Sequence, residues 1–402
     1  MKRYLFFIMA VFTTVSFGQN VDENRVTFNF VQLPTNPIAD QYSTFNVIVE
    51  RKYEQANEDS LVAYQSQLEQ ASLEYEAQMA AWREQKKVVM RDYYTKMSRW
   101  QKQVNAGATT TPKPTDPIIP AAPVMREIPN PKLHSDITDD QVSNAISLAG
   151  YDKGEGGATV TIGIQPVSDI SIKMTSKKSE TSVKYTYTAN YKMPVEIKVE
   201  DPSQGVILQT IVLNSMRNYT IGSYDSQYDF ELWWLDNKDM FWSDLEKKAR
   251  DGGLAEANTY VNNKCGFPVR SRSIYVYTVK RFKDHQYNDL TNAYTAAMQG
   301  YQMVGQDRDR SAAEGKINEA ITIWKTMLKE SNPNDRKARV NDKVTALLYA
   351  NLAEAYIWLS DFNNAEMYMN LALNSGVGKF KRAVSGLGGY INERQLRWNT
   401  NF

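Results

Sequence analysis

The sequence predicts an α+β protein: an antiparallel β-rich domain of sandwich or barrel type, an inserted long helical arm, and an α-helical domain at the end. Three observations lead to this fold class. Apolar residues alternate at period two in short stretches before residue 283, which is typical of half-buried strands. They recur every three or four residues between residues 51 and 107, and again after residue 284. That second spacing is the period of a helix.

The composition limits the classes of function. The chain has 402 residues, which is enough for two or three domains. Its 47 basic and 46 acidic side chains nearly balance, whereas a nucleic-acid binder normally carries a basic excess. No run of lysine or arginine forms a membrane-surface patch. After the first twenty residues, no apolar stretch is long enough to form a transmembrane segment.

Residues 1–18 have the features of a signal peptide. Lys2 and Arg3 give a positive start, residues 4–15 are almost entirely apolar, and residues 16–18 are suited to cleavage. No cysteine stands at the cleavage site itself, so a lipoprotein is not expected. We expect a periplasmic protein that associates with the outer membrane through its partners. An uncleaved anchor is the alternative, but the apolar run is short for one.

The β-rich domain is expected to span residues 132–283. Residues 19–50 supply two further strands, which we expect to join it because a two-stranded unit alone is marginally stable. A short helix is predicted over residues 136–148, capped by Ser135 or Asp136. Another helix is predicted near residues 243–262, and a closing strand over residues 273–280.

Residues 51–107 predict one helix of about 50 residues, or roughly 75 Å. No glycine or proline interrupts it before Gly107, which stands where a C-terminal cap is expected. Such length is typical of a projecting arm or a coiled coil, so self-association through it is one prediction. Its apolar stripe is interpreted as a protein-binding surface, represented by Leu68, Tyr75, Trp82, Tyr93 and Trp100.

Residues 108–131 hold half of the prolines in the chain. Proline favours an extended polyproline II path of about 3.1 Å per residue, so this segment has roughly the length of the helix before it. One interpretation is a strap that returns along the helix and packs on its aromatic residues. The alternative is a flexible linker without a preferred position.

The C-terminal region, residues 284–402, resembles the tetratricopeptide repeat (TPR) family. The matching positions are Tyr349, Leu352, Ala353, Tyr356, Ala365, Met369 and Ala372. An earlier, stretched unit contains Ala320, Trp324 and Met327, and residues 379–397 are interpreted as a cap. The resemblance implies stacked helix pairs with a concave face that binds a peptide or protein segment. Tyr349 and Tyr356 are therefore predicted to bind protein.

No set of residues for catalysis or for a cofactor is evident. His134 and His285 are the only histidines, and neither accompanies a nucleophile motif. Cys265 is the single cysteine, which makes a zinc site improbable; we interpret it as a buried apolar residue rather than a reactive thiol. Acidic residues at 136–140 leave calcium as an alternative, without the spacing of a known calcium loop. The sequence therefore predicts a non-enzymatic protein without cofactor or metal.

An aromatic cluster over residues 224–242 allows two interpretations. Trp233 and Trp242, its representatives, are candidates for protein or sugar binding because such residues dominate interface hot spots. The competing interpretation places the cluster in a core at the junction between the β-rich domain and the repeats. This core interpretation is favoured.

Taken together, these features predict a periplasmic adaptor or scaffold that binds other envelope proteins. An outer-membrane complex for biogenesis or protein export is the expected setting, and neither nucleic acid nor a transmembrane segment is expected. The alternatives are a carbohydrate- or peptidoglycan-binding accessory protein that uses the aromatic cluster, and a holdase-type chaperone that uses the arm.

Overall fold

The computed structural model describes residues 20–107, 110, 112–180, 182–304 and 310–402. The expected signal peptide lies outside these residues. The fold is mixed α+β, with 50% helix and 24% strand. Several sheets are present, and none of those in the described part closes into a barrel.

The elements of the described residues follow one another along the chain in this order: β1 (Val21–Val31), β2 (Thr44–Arg51), α1 (Tyr53–Asn105), α2 (Asp139–Ala145), β3 (Asp152–Lys153), β4 (Ala158–Ile164), β5 (Ser168–Lys178), β6 (Val183–Lys192), β7 (Val195–Asp201), β8 (Gly205–Val212), β9 (Arg217–Tyr224), α3 (Gln227–Cys265), β10 (Val269–Val279), β11 (Arg281–Phe282), β12 (His285–Gln286), α4 (Asn288–Met303), α5 (Arg310–Leu328), α6 (Asp342–Trp358), α7 (Phe362–Asn374), α8 (Gly378–Val384) and α9 (Leu387–Asn401).

A five-stranded sheet in the order β3-β2-β4-β7-β8 forms the body from which the arm leaves. The expectation of a purely antiparallel sheet is wrong here, because β2 runs parallel to both β3 and β4. The chain passes from the end of β2 directly into α1. After the arm it returns to the end of β2 and runs back along that strand through α2, and only then do β3 and β4 begin. A parallel pair requires such a crossover.

The sheet and two helices share one core. Val160, Ile162, Ile164, Ile197 and Val199 are buried on its strands, against α2 and the second half of α3. Helix α2 starts at a capping box made by Thr138, so the expected cap at Ser135 or Asp136 is wrong. The side chain of Thr138 accepts a hydrogen bond from the backbone N–H of Gln141. In return, the side chain of Gln141 accepts one from the backbone N–H of Thr138.

Helix α3 has 39 residues and is longer than the stretch 243–262 predicted for it. A capping box between Ser226 and Asp229 starts it earlier. Phe230, Trp233, Trp234 and Phe241 then continue at helical spacing. The first half of α3 packs on a second sheet, of order β5-β6-β9.

Strands β1 and β10 pair along 11 residues as a separate antiparallel ribbon. Both early strands thus pair with strands from residues 132–283, but β1 and β10 form a ribbon of their own and do not join the five-stranded sheet. The buried face of the ribbon packs on α4 and α6, within the core of the C-terminal helices. Phe28 shows the reason, because its ring lies 5.5 Å from the ring of Tyr301 and 4.8 Å from that of Trp358.

The C-terminal helices form two hairpins, α4 with α5 and α6 with α7, followed by α8 and α9. The largest core cluster of the described residues lies here, with Trp324 and Tyr301 fully buried. Asn351 of α6 fastens the ribbon, since its side chain donates to the carbonyl of Tyr277 and accepts from the N–H of Tyr277, both at 2.9 Å.

Candidate functional site: a braced arm and an aromatic patch

The root of the arm is anchored by a hydrogen bond between a residue where the chain leaves the body and a residue where it returns. Tyr53, in the first turn of α1, is buried and donates its hydroxyl to Asp136 at 2.8 Å. The same hydroxyl accepts from the N–H of Ile137 at 3.1 Å. The bond from Tyr53 is the main cause that lowers the pKa of the Asp136 carboxyl. These bonds fix where the chain leaves the body and where it returns.

A second anchor comes from α3. Arg250 donates to the carbonyl of Ser135 at 2.5 Å and to Glu246 at 2.8 Å. Glu246 also contacts His134, with 3.1 Å between carboxylate and ring nitrogen. Burial raises the pKa of Glu246, but the bonds from His134 and Ser135 and the charge of Arg250 outweigh burial and lower it. The ionised carboxylate thus holds the returning chain against α3.

The proline-rich segment runs back along α1. The hydroxyl of Tyr64 donates to Asn130 at 3.0 Å, the indole N–H of Trp82 to the carbonyl of Pro120 at 2.8 Å, and the hydroxyl of Tyr93 to Asp116 at 3.1 Å. The partner numbers fall as the helix numbers rise, so the segment is antiparallel to the helix. We call residues 112–133 the strap.

The strap follows the three-residue period of polyproline II. Pro114, Pro117, Pro120 and Pro123 are half-buried, while the residues between them are exposed. With three residues per turn, these four prolines lie on one side of the strap. That side faces the aromatic stripe of the helix, which gives a stiff two-part arm instead of a bare helix.

The five stripe residues predicted to bind protein face the strap. Leu68, Tyr75, Trp82, Tyr93 and Trp100 are all half-buried, and Trp82 and Tyr93 bond to the strap. The surface left open is the opposite side of the helix, where Leu73 and Val88 are 62% and 54% exposed. A stripe prediction does not distinguish a partner from a returning segment of the same chain, since both cover apolar surface.

The arm also carries a basic surface that the sequence analysis missed. Lys87, Arg91, Arg99 and Lys102 surround Met90 and Tyr94 in the outer part of α1. No two of these bases are adjacent in sequence, so a search for runs does not find them. Their spacing of three, four and eight residues places them on one side of the helix, and that periodicity is the signal that reveals them.

Trp233 and Trp242 are half-buried among other rings at the foot of the β5-β6-β9 sheet. The ring of Trp233 lies 6.2 Å from that of Trp234, and the ring of Trp242 lies 4.9 Å from that of Phe241. The expected place at the junction with the repeats is wrong, because the cluster packs between α3 and this sheet. The sheet's own tyrosines, such as Tyr187 stacked 3.6 Å from Phe230, complete it.

Around this small core, apolar side chains face solvent. We call them the aromatic patch; they are Ile170, Ile172 and Met174 on β5 and Tyr228, Leu232, Leu235 and Met240 on α3, with Trp233 and Trp242 at the base. Leu235 is 79% exposed and Tyr228 is 65% exposed. Exposed apolar side chains on these two neighbouring elements make the region a candidate binding surface.

A cavity of about 500 Å³ adjoins the patch at the arm root. Trp242 and Ile170 line one part of it, and Asn130, Ser243 and Glu246 supply polar atoms. The cavity thus combines one indole face with hydrogen-bonding groups. Within the described residues, no group of three or more His, Cys, Asp or Glu side chains is arranged to hold a metal ion.

The repeat residues do not line an open groove. Tyr356 is 6% exposed and its ring stacks on Tyr368 at 5.6 Å, so in this fold it is a core residue. Tyr349 is half-buried against the same core. The face formed by α4 and α6 is covered by the β1–β10 ribbon, held also by the ion pair of Arg272 with Glu354 at 3.1 Å.

Comparison of the chain with protein-family models, with curated proteins and with solved structures found no match. Across the described residues, no helix has the length and apolar character needed to cross a membrane. Two candidate surfaces are identified from the structure alone. They are the arm with its strap, and the aromatic patch at the arm root.

Proposed function

We propose that this chain is a periplasmic, non-enzymatic adaptor that holds other envelope proteins in an outer-membrane-associated assembly for biogenesis or protein export. The observation that carries the proposal is the braced arm. A helix of 53 residues spans about 80 Å. A projection of this length is not needed to stabilise the body of the protein. The strap and the root anchors make the arm a rigid spacer.

The second contact surface of the proposed adaptor is the aromatic patch. It lies where the arm joins the body, so one partner held by the arm and another held by the patch would be kept at a fixed separation. Exposed Leu235 and Tyr228 are suited to anchor an apolar partner surface, with the packed tryptophans as a rigid base.

The TPR-like character of residues 284–402 belongs to this proposal as well. Two packed helical hairpins with small residues at their crossings support it, among them Ala353 and Ala365, both fully buried. In this arrangement the β1–β10 ribbon occupies the inner face that a bound peptide takes in such repeats. The repeats then serve mainly as the base that supports the body.

The adaptor proposal is tested by removing the arm without disturbing its root. A short Gly-Ser linker replaces residues 60–131, so that the pair Asn57 and His134, whose side chain and backbone bond at 3.1 and 2.7 Å, stays in place. We expect the variant to fold but to lose proteins that the full chain captures from solubilised envelopes. Capture that is unchanged by this deletion contradicts the proposal.

A matched control separates the two surfaces. Leu235→Asp and Tyr228→Asp change exposed patch residues and leave the arm intact. We expect a different subset of captured proteins to be lost. If both variants lose the same proteins to the same extent, the two surfaces are one site and the spacer role is wrong.

Binding of a glycan is the second candidate, because the cavity beside Trp242 pairs an indole face with polar groups. Sugar rings stack on such faces, and their hydroxyls require hydrogen-bonding neighbours. Retention of the purified chain on peptidoglycan or polysaccharide supports this candidate over the adaptor if it is lost in Trp242→Leu and kept in a shorter arm deletion, of residues 66–128, which leaves the cavity residue Asn130 in place.

A further inference from the structure

The charges of α1 are separated into two halves. Its inner half, residues 53–82, has no lysine or arginine and carries these acids: Glu54, Glu58, Asp59, Glu69, Glu74 and Glu76. Its outer half, residues 83–105, carries these bases: Arg83, Lys86, Lys87, Arg91, Lys96, Arg99 and Lys102. All of these side chains are exposed. The helix is thus a rod with an acidic and a basic half.

Local ion pairs do not cancel this separation. The two acids of the outer half pair within it, Glu84 with Lys87 at 2.6 Å and Asp92 with Lys96 at 2.7 Å. Among the described residues, the six acids of the inner half form no ion pair. Lys132, at the near end of the strap, pairs with Asp239 on α3 instead. The acidic half therefore remains acidic when the strap is in place.

The change of sign falls at the centre of the helix. The last inner acid is Glu76 and the first outer base is Arg83, and the midpoint of residues 53–105 is residue 79. A second copy placed antiparallel about a two-fold axis at this midpoint sets each acidic half beside the basic half of its partner. Such an isologous contact satisfies both halves at once.

The open side of the helix has an apolar strip at the same place. Leu73, Ala77, Ala80, Ala81 and Val88 are exposed and lie within four turns around the midpoint, on the side away from the strap. The small alanines at its centre permit close approach of another helix. The strip alone is too short to select a partner, and the charges on both sides of it supply direction and register.

We propose that two copies of this chain associate through their arms, antiparallel and centred near residue 79. A wholly acidic or wholly basic partner surface would attract one half of the arm and repel the other, whereas a second copy attracts both. The ion pairs are exposed, so each one is weak and the association depends on salt. This inference does not depend on the adaptor function.

The test measures the oligomeric state of the purified full chain by sedimentation velocity. We expect a dimer in low salt whose dissociation constant rises about tenfold or more between about 0.05 M and about 0.5 M salt. An outer-reversed variant carries Arg91→Glu, Arg99→Glu and Lys102→Glu. We expect it to be monomeric, because both halves of its arm are then acidic.

The decisive experiment mixes two variants. An inner-reversed variant, with Glu58→Lys, Asp59→Lys, Glu69→Lys, Glu74→Lys and Glu76→Lys, has one acid and five bases in its inner half and is also expected to be monomeric alone. When mixed with the outer-reversed variant, it is expected to form a heterodimer, because an acidic arm then meets a basic one. Misfolding of either variant would prevent this recovery, so recovery shows that both are folded.

A charge control lies off the arm. Lys173→Glu, Lys177→Glu and Lys178→Glu change the exposed strand β5 by the same charge, and the dimer should persist. A wild-type chain that stays monomeric at about 0.1 mM in low salt overturns the inference. So does a mixture of the two arm variants without a heterodimer. If the outer-reversed variant instead loses a captured protein while the wild type is monomeric, the basic half binds that acidic partner and the self-association is wrong.

Discussion

The indole N–H of Trp82 donates a 2.8 Å hydrogen bond to the carbonyl of Pro120, across 38 residues of chain. Trp82 lies near the middle of α1, and Pro120 lies on the buried side of the strap. The bond joins two segments that are each unable to form a core alone. It therefore reports directly whether the arm is a braced rod or a helix with a loose tail.

The first prediction concerns this brace. Trp82→Phe keeps an aromatic ring but removes the N–H, so one hydrogen bond of about 1 kcal/mol is lost and the strap opens locally. Proteinase K should then cut between residues 112 and 123 about fivefold faster than in the wild type. Tyr94→Phe, at a 61% exposed position on the same helix, should leave the rate unchanged. An equal increase in both variants would mean that the bond does not hold the strap.

The second prediction concerns Asn351, which bonds both backbone groups of Tyr277 from within the core. Asn351→Leu leaves a buried N–H and a buried carbonyl without these partners, so the free energy of unfolding should fall by about 2–4 kcal/mol in urea titrations. Asn374→Ala, at an exposed position at the end of α7, should change it by less than about 0.5 kcal/mol. Similar losses in both variants would contradict the role of Asn351.

The sequence allowed the arm to be predicted well, because its signals are local. Helical periodicity, the absence of glycine and proline, and Gly107 in a left-handed conformation at the end all act within a few residues. The strap was one of two open interpretations. The three-residue spacing of the prolines favours a segment with one packed face. Whether that face docks on the helix depends on distant residues, such as Tyr64, which is 66 positions from its partner Asn130.

The pairing of β1 and the direction of β2 could not be predicted in the same way. Alternation shows that Val26, Phe28 and Phe30 share a buried face, but it does not say which surface covers them. The partner strand β10 begins about 240 residues later, and the covering helices come later still. For the same reason Tyr356 has the pattern of a repeat residue, while only the fold shows it stacked on Tyr368 inside the core.

The third prediction concerns Cys265, at the end of α3. The thiol is fully buried, and burial raises its pKa to about 12. Since the thiolate is the reactive form, iodoacetamide at neutral pH should not modify the folded chain, and labelling should follow the urea unfolding curve. Mass spectrometry of the labelled chain checks this. Modification at low urea, ahead of global unfolding, would show that the end of α3 opens by itself.

The fourth prediction concerns pH and the arm root. The pKa of Glu246 is lower in the folded chain than in the unfolded one. Its ionised form therefore stabilises the fold above the unfolded pKa of about 4.3, and this contribution is lost as the pH falls through the lower folded pKa. Glu246→Gln should lose less stability than the wild type between about pH 6 and about pH 3. Glu256→Gln, exposed on the same helix, should follow the wild type, and urea titrations at each pH measure the difference.

The fifth prediction uses two adjacent glycines within α3, where the helix passes from the aromatic patch to the β-rich core. A Cβ at Gly252 meets no atom within 4 Å, whereas a Cβ at Gly253 would lie 3.0 Å from Cγ2 of Val195. Alanine is favoured over glycine in a helix by about 1 kcal/mol. Gly252→Ala should therefore raise the free energy of unfolding by about that amount.

The paired variant Gly253→Ala has the same gain in helix propensity, but it presses on the buried strand β7. Because Val195 is fixed in a close-packed core, the contact should cancel the gain or exceed it. Urea titrations of the two variants thus measure how tightly α3 sits on the sheet, with each variant as the control for the other. Equal stabilisation by both would mean that α3 can move away from Val195, and the body would then be a less rigid base for the arm than the packing implies.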